Sequence, residues 1–85
     1  MASQDDWRQA QHEVEYRADA IAAAERRGKH SYSFETGLEE EATKCVAALY
    51  RRMGYKADAR VMISREYYAG EEQTWEDSWG VEVSW

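Results

Sequence analysis

The chain has 85 residues, one cysteine, no proline and a net charge of −6 from 17 acidic and 11 basic side chains. This length predicts a single domain, and one cysteine excludes an internal disulfide framework, so stability must come from packing. The negative charge disfavours direct binding to DNA or RNA. No stretch has the pattern of a membrane span or a secretory leader, so we expect a cytoplasmic protein that does not bind membranes.

A first helix is predicted after Ser3, whose hydroxyl can cap the helix and is followed by two acids. The helix should end near Arg27, with Gly28 in the position where glycine commonly closes a helix. Its apolar residues recur every three or four positions and form one stripe, Trp7, Ala10, Val14, Ala18, Ile21 and Ala24.

The next segment, residues 29–35, alternates polar and aromatic side chains. This pattern fits either a short third strand over residues 30–34 or an extended linker. The segment is too short for its periodicity to decide between these two alternatives.

A second helix is predicted from the capping-box spacing of Thr36 and Glu39. Gly54 should end the helix, and Tyr55 should then pack back on Tyr50. The stripe of this helix is more strongly apolar than the first and contains Leu38, Ala42, Cys45, Val46, Leu49, Tyr50 and Met53.

Residues 55–85 predict a β-hairpin, because both arms alternate apolar and polar side chains. We expect the register that places Val61 beside Val81, which also puts Arg60 across from Glu82. Together the elements predict an α+β fold, with two helices packed on one face of a small antiparallel sheet. The apolar side chains of the closing arm should cover the core: Trp75, Trp79, Val81, Val83 and Trp85.

No arrangement of residues predicts an enzyme, a metal site or a cofactor. His12 and His30 have no second histidine at ligand spacing, and Cys45 has no neighbouring cysteine. Cys45 also falls on an apolar helix stripe, where a thiol is normally packed and unreactive. Phosphate-binding loops, calcium loops and hydrolase nucleophile motifs are absent from the sequence.

Four carboxylates lie close to the predicted hairpin turn, and we call them the acidic tip: Glu71, Glu72, Glu76 and Asp77. An anionic surface of this kind can steer a protein onto a basic groove and speed association. Alternatively, the acids are ordinary solvated residues of a polar turn.

Three further carboxylates begin the second helix, and the first arm of the hairpin should run back antiparallel to that helix. We therefore expect the tip to approach these helix-start carboxylates, Glu39, Glu40 and Glu41. Aromatic side chains that border the tip could anchor a partner. They are Tyr67, Tyr68 and Trp75.

The chain resembles small accessory proteins encoded by bacteriophages, including anti-CRISPR-type inhibitors of host defence. The features that carry this resemblance are the compact acidic chain, the helix start Thr36-Gly-Leu-Glu-Glu-Glu41, and the closing segment Trp79-Gly-Val-Glu-Val-Ser-Trp85. The resemblance implies action by tight binding in the host cytoplasm, where such proteins occlude a nucleic-acid site or block assembly of a complex.

Two functional hypotheses follow. In the first, the chain is a non-enzymatic acidic protein that mimics nucleic acid and inhibits a larger protein or ribonucleoprotein by occluding its basic surface. In the second, it is a small structural or adaptor protein that forms a homodimer, and its acidity serves only solubility. The homodimer contact would use a sheet edge, or Met62 together with Tyr68.

Overall fold

The computed structural model describes residues 2–62, 65–68, 71–74 and 78–85, with 65–68 and 71–74 described by their backbone alone. The helices are α1 (Gln4–Arg26) and α2 (Glu40–Arg52). The strands are β1 (Ser31–Glu35), β2 (Lys56–Met62), β3 (Arg65–Tyr68), β4 (Glu71–Thr74) and β5 (Ser78–Ser84). The predicted α+β class is confirmed: two helices accompany an antiparallel sheet in the order β1-β5-β2, and β3 pairs with β4 in a separate ladder.

Helix α1 begins and ends where the sequence predicts. The Ser3 hydroxyl accepts a hydrogen bond from the Asp6 backbone N–H at 3.2 Å, and the Asp6 carboxylate accepts one from the Ser3 N–H at 2.8 Å. This reciprocal pair satisfies two of the N–H groups that a helix start leaves without partners. At the other end, Gly28 takes a positive φ of 77°, which closes the helix without a Cβ clash.

The start of α2 differs from the prediction. The helix begins at Glu40 with Glu39 as its N-cap, and the Glu39 side chain makes no capping bond, so the capping box predicted at Thr36 is wrong. Thr36 is buried instead, where its hydroxyl accepts from the Leu38 N–H and donates to the Trp79 carbonyl, both at 3.1 Å. The hydroxyl thus bonds to β5 and to Leu38, and it does not cap the helix.

The end of α2 confirms the prediction. Gly54 has a φ of 99°, and the Tyr55 N–H donates to the Tyr50 carbonyl at 3.1 Å. The two tyrosine rings meet edge to face, with centroids 5.9 Å apart. This closure turns the chain into β2 and places Tyr55 against the core.

Strand β1 resolves the alternative left open for residues 29–35. It is a strand, and it pairs with β5, so that Tyr32 stands opposite Val83 and Phe34 opposite Val81. Strand β5 therefore lies in the middle of the sheet and β2 at the far edge. The sheet completes the layer on which α2 packs.

The register predicted for the closing hairpin is wrong by two residues. Val61 stands opposite Trp79 rather than Val81. The register of the β3–β4 ladder differs by one further residue from that of the β2–β5 ladder. A two-residue shift keeps each side chain on its face of the sheet. Arg60 accordingly still reaches Glu82 at 3.1 Å, now as a diagonal neighbour.

The core is built from valines and a tyrosine more than from tryptophans. Val46, Val81, Val83 and Tyr50 are at most 1% exposed. Trp85, in contrast, is 37% exposed and packs edge to face on Tyr55, so the expectation that the tryptophans cover the core is wrong for this residue. Trp79 is only partly buried, and Trp75 lies outside the described residues.

Candidate functional site

The helix-start carboxylates Glu39, Glu40 and Glu41 lie together on the surface, as predicted. Lys44 pairs with Glu40 at 3.0 Å and lies 3.9 Å from Glu41. The hydrogen bond to Glu40, with the charge of that carboxylate, raises the pKa of Lys44. Glu39 makes no ion pair with any side chain that the structure describes. Three carboxylates thus face one ammonium group, and the helix start stays negative.

A buried pair of threonines holds this helix start against the sheet. The hydroxyls of Thr36 and Thr43 lie 2.9 Å apart, and the single Thr43 hydroxyl proton is shared between Thr36 and the Glu39 carbonyl, which is also 2.9 Å away. The Thr36 N–H and hydroxyl both donate to the Trp79 carbonyl. The network ties the first turn of α2 to the start of β5, because Thr43 lies within hydrogen-bond distance of Thr36 and Thr36 bonds directly to Trp79.

The start of α1 lies beside α2. Asp6 acts electrostatically on the Cys45 thiol of α2, as does Glu41. The ring of Trp7, the residue after Asp6, lies 5.1 Å from the Arg52 guanidinium in the last turn of α2, so the start of α1 runs beside the second half of α2. Local patterns could not reveal this proximity, since it depends on how the two helices cross.

The backbone of the predicted tip forms the β3–β4 ladder. Tyr67 stands opposite Glu72 and Tyr68 opposite Glu71. Trp75, Glu76 and Asp77 lie outside the described residues. The Thr36 N–H donates to the Trp79 carbonyl, so the start of β5 lies beside the loop that leads into α2. The predicted approach of the acidic tip to the helix-start carboxylates requires this arrangement. The approach of the tip to Glu39, Glu40 and Glu41 remains a prediction.

Two surface clefts lie beside α1 in the part of the chain that the structure describes. One, of about 140 Å³, lies between α1 and the end of α2 and is lined mainly by apolar residues. A second, shallower groove of about 380 Å³ is bounded by Gln9, His12, Glu13, Tyr16 and Leu38. Pockets that bury a drug-sized ligand typically measure about 300–1,000 Å³. Among the described residues, no three His, Cys, Asp or Glu side chains are grouped to hold a metal ion.

The Cys45 thiol is buried on α2 and only 3% exposed. Burial raises its pKa, and the negative charges of Asp6 and Glu41 raise it further. The thiolate, which is the reactive form, is therefore scarce at neutral pH. The environment of this thiol is the reverse of the electropositive one that activates a cysteine nucleophile.

We expect Cys45 to resist a thiol reagent in the folded protein. At neutral pH, its reaction with an aromatic disulfide should be at least about 100-fold slower than that of the unfolded chain, because the sulfur must first be exposed. The release of the coloured thiol measures both rates, and a Cys45→Ala variant supplies the blank. Native labelling as fast as that in denaturant would contradict the burial of the thiol.

Comparisons of the chain with known protein families, with characterised proteins and with solved structures gave no match. No helix among the described residues is both long enough and apolar enough to cross a membrane.

Proposed function

We propose that this chain is a non-enzymatic binding protein that inhibits or modulates a larger protein or ribonucleoprotein in the cytoplasm. Its negative surface occupies a basic surface that otherwise binds nucleic acid. The surface consists of the helix-start carboxylates Glu39–Glu41 together with the acidic tip. Inhibition is stoichiometric, since the inhibitor acts by covering its target.

The observation that carries this proposal is the hydrogen-bonded attachment of the helix start that bears the exposed carboxylates. Thr36 and Thr43 join the first turn of α2 to β5 through buried and half-buried hydrogen bonds. A negative surface that is already ordered loses little entropy on binding, and its charge steers encounter with a basic partner. The resemblance to phage accessory proteins supports the same mode of action, with a host nucleic-acid-binding complex as the target.

The aromatic residues next to the tip complete the proposed contact surface. Tyr67 stands opposite Glu72 and Tyr68 opposite Glu71 in the β3–β4 ladder, so each face of the ladder has one tyrosine position paired with one glutamate position. Aromatic residues commonly supply most of the binding energy at protein interfaces, while charged residues at the rim control the association rate. We therefore assign affinity to the tyrosines and Trp75, and steering to the carboxylates.

Charge reversal at the tip tests this proposal. The wild-type chain serves as bait in a bacterial lysate, and the captured protein is identified by mass spectrometry and purified. Reversal of all four tip residues to lysine should then abolish binding, and Glu71→Lys with Glu72→Lys alone should weaken it by about tenfold or more. Surface plasmon resonance measures both, and the wild-type association rate should fall as salt rises.

The matched control reverses two exposed acids of α1, Glu15→Lys and Asp19→Lys, which changes the net charge by the same amount. This control should bind nearly as well as the wild type if location matters, and both pairs should keep the circular dichroism of the parent. Unchanged affinity after reversal of the tip would discard the acidic mechanism. An equal loss in both pairs would show that net charge alone governs binding.

A further inference from the structure

The outer strands of the sheet, β1 and β2, each have one edge that does not pair with β5. The hydrogen bonds to β5 show which backbone groups of each outer strand point toward that edge. The Trp85 N–H donates to the His30 carbonyl and the Thr36 N–H to the Trp79 carbonyl, both at 3.0 Å. In an antiparallel pair, only alternate residues exchange hydrogen bonds. Even-numbered residues of β1 therefore bond to β5, and Ser31, Ser33 and Glu35 direct their N–H and C=O groups to the free edge.

The edge of β2 is partly covered by a side chain. By the same alternation, the odd-numbered residues of β2 face away from β5. The Arg51 Nε donates to the Ala57 carbonyl at 2.7 Å, and its guanidinium pairs with Asp58 at 3.3 Å. Charged residues on an outer strand are a common protection against pairing with another chain.

The edge of β1 is covered at one end only. An Arg17 Nη donates to the Glu35 carbonyl at 3.1 Å, where the guanidinium also lies 4.9 Å from the Phe34 ring centre. Ser31 and Ser33 are exposed, and their outward N–H and C=O groups have no protein partner in the part of the chain that the structure describes. The strand contains no proline or lysine, so it lacks the usual protection of an edge.

We propose that β1 pairs with β1 of a second copy of this chain, in the antiparallel register that puts Ser31 opposite Ser33 and Tyr32 opposite Tyr32. The inference is independent of the proposed target. In this register the outward N–H and C=O groups of both serines are satisfied in both copies, and the Glu35 carbonyl stays with Arg17. A two-fold axis through the Tyr32 pair closes the assembly as a dimer.

The side chains of this register are complementary. Lys29 of one copy lies opposite Glu35 of the other, twice per dimer, and both residues are exposed. The Tyr32 side chains, each only partly buried in a single copy, meet at a pair without hydrogen bonds, where opposed side chains come closest. Pairing also ends naturally at Lys29, because its N–H already donates to the Ala24 carbonyl at 3.0 Å.

Sedimentation equilibrium of the full chain tests the pairing. The wild type should show a reversible monomer–dimer equilibrium. Ser33→Pro should abolish it, because proline removes the outward N–H and its ring obstructs the edge, while the ladder to β5 keeps all its bonds. Ser33→Ala, which retains the N–H, is the matched control and should still dimerise. Unchanged circular dichroism of Ser33→Pro would show that the monomer remains folded.

A charge exchange tests the register. Lys29→Glu and Glu35→Lys should each weaken the dimer about tenfold, because like charges then lie opposite each other. The chain that carries both changes should recover most of the wild-type affinity. A wild type that stays monomeric at the highest soluble concentration would overturn the proposal, as would a dimer that survives Ser33→Pro. Failure of the double variant to recover would overturn the register.

Discussion

Gly80→Ala is expected to lower the free energy of unfolding by about 3 kcal/mol, a large effect for the addition of one methyl group. Gly80 is buried in the central strand β5, opposite Glu35 on one side and Arg60 on the other. A Cβ at this position would lie 2.5 Å from Met62 Sδ and Cε, and 2.6 Å from the Phe34 carbonyl oxygen. The methionine can move, but the carbonyl belongs to the backbone of the neighbouring strand.

A double-mutant cycle with Met62→Ala separates these two contacts. Because Met62 is removed, the cost of Gly80→Ala in that background should fall, and the part due to Phe34 should remain. Urea unfolding of the four proteins measures the free energies. A single variant within about 0.5 kcal/mol of the parent, the range of an ordinary surface change, would contradict the close approach of the two backbones.

We expect the wild type to lose stability in alkaline solution and the Tyr50→Phe variant to lose less. Tyr50 is 1% exposed, and burial, with a smaller contribution from the charge of Glu13, raises its pKa to about 12. An unfolded tyrosine ionises near pH 10. The folded chain therefore keeps a proton that the unfolded chain releases between these values, and stability falls as pH rises through this window.

The size of this effect follows from the difference between the two pKa values. A difference of two between the folded and unfolded pKa values corresponds to about 3 kcal/mol of unfolding free energy, which is present below pH 10 and lost by about pH 12. Urea unfolding at pH 8 and pH 11 should show a smaller loss in Tyr50→Phe than in the wild type. At neutral pH the variant should equal or exceed the parent by about 1 kcal/mol, because the Tyr50 hydroxyl has no hydrogen-bond partner among the described residues.

Tyr55→Phe is the matched control for this experiment. The Tyr55 hydroxyl lies near the surface and donates to the Glu25 carboxylate at 2.7 Å, a bond that raises the pKa of Tyr55. Its removal should cost a little stability at neutral pH, in contrast to Tyr50→Phe. An equal dependence on pH in the wild type and in Tyr50→Phe would contradict the role given to the buried hydroxyl.

Part of the candidate site could be predicted from the sequence because helix electrostatics are local. Glu39, Glu40 and Glu41 precede an apolar stripe, and acids are favourable where a helix begins. The attachment of this turn to β5 was not predictable, since the spacing of Thr36 and Glu39 fits a capping box, whereas the Thr36 hydroxyl bonds to the Trp79 carbonyl. Nothing in the neighbouring residues indicates that its hydroxyl bonds to a carbonyl 43 positions further along the chain.

The sequence by itself determined both ends of α1, the end of α2 and the inward faces of β1, β2 and β5. Ser3, Gly28 and Gly54 act through bonds and φ angles within a few residues, and alternation places Val81 and Val83 inward in any register of the same parity. Only the tertiary structure decided the register, the choice of β1 as a partner for β5 and the need for glycine at position 80. A two-residue shift leaves the pattern of faces unchanged, so contacts between distant segments had to select among equally amphipathic pairings.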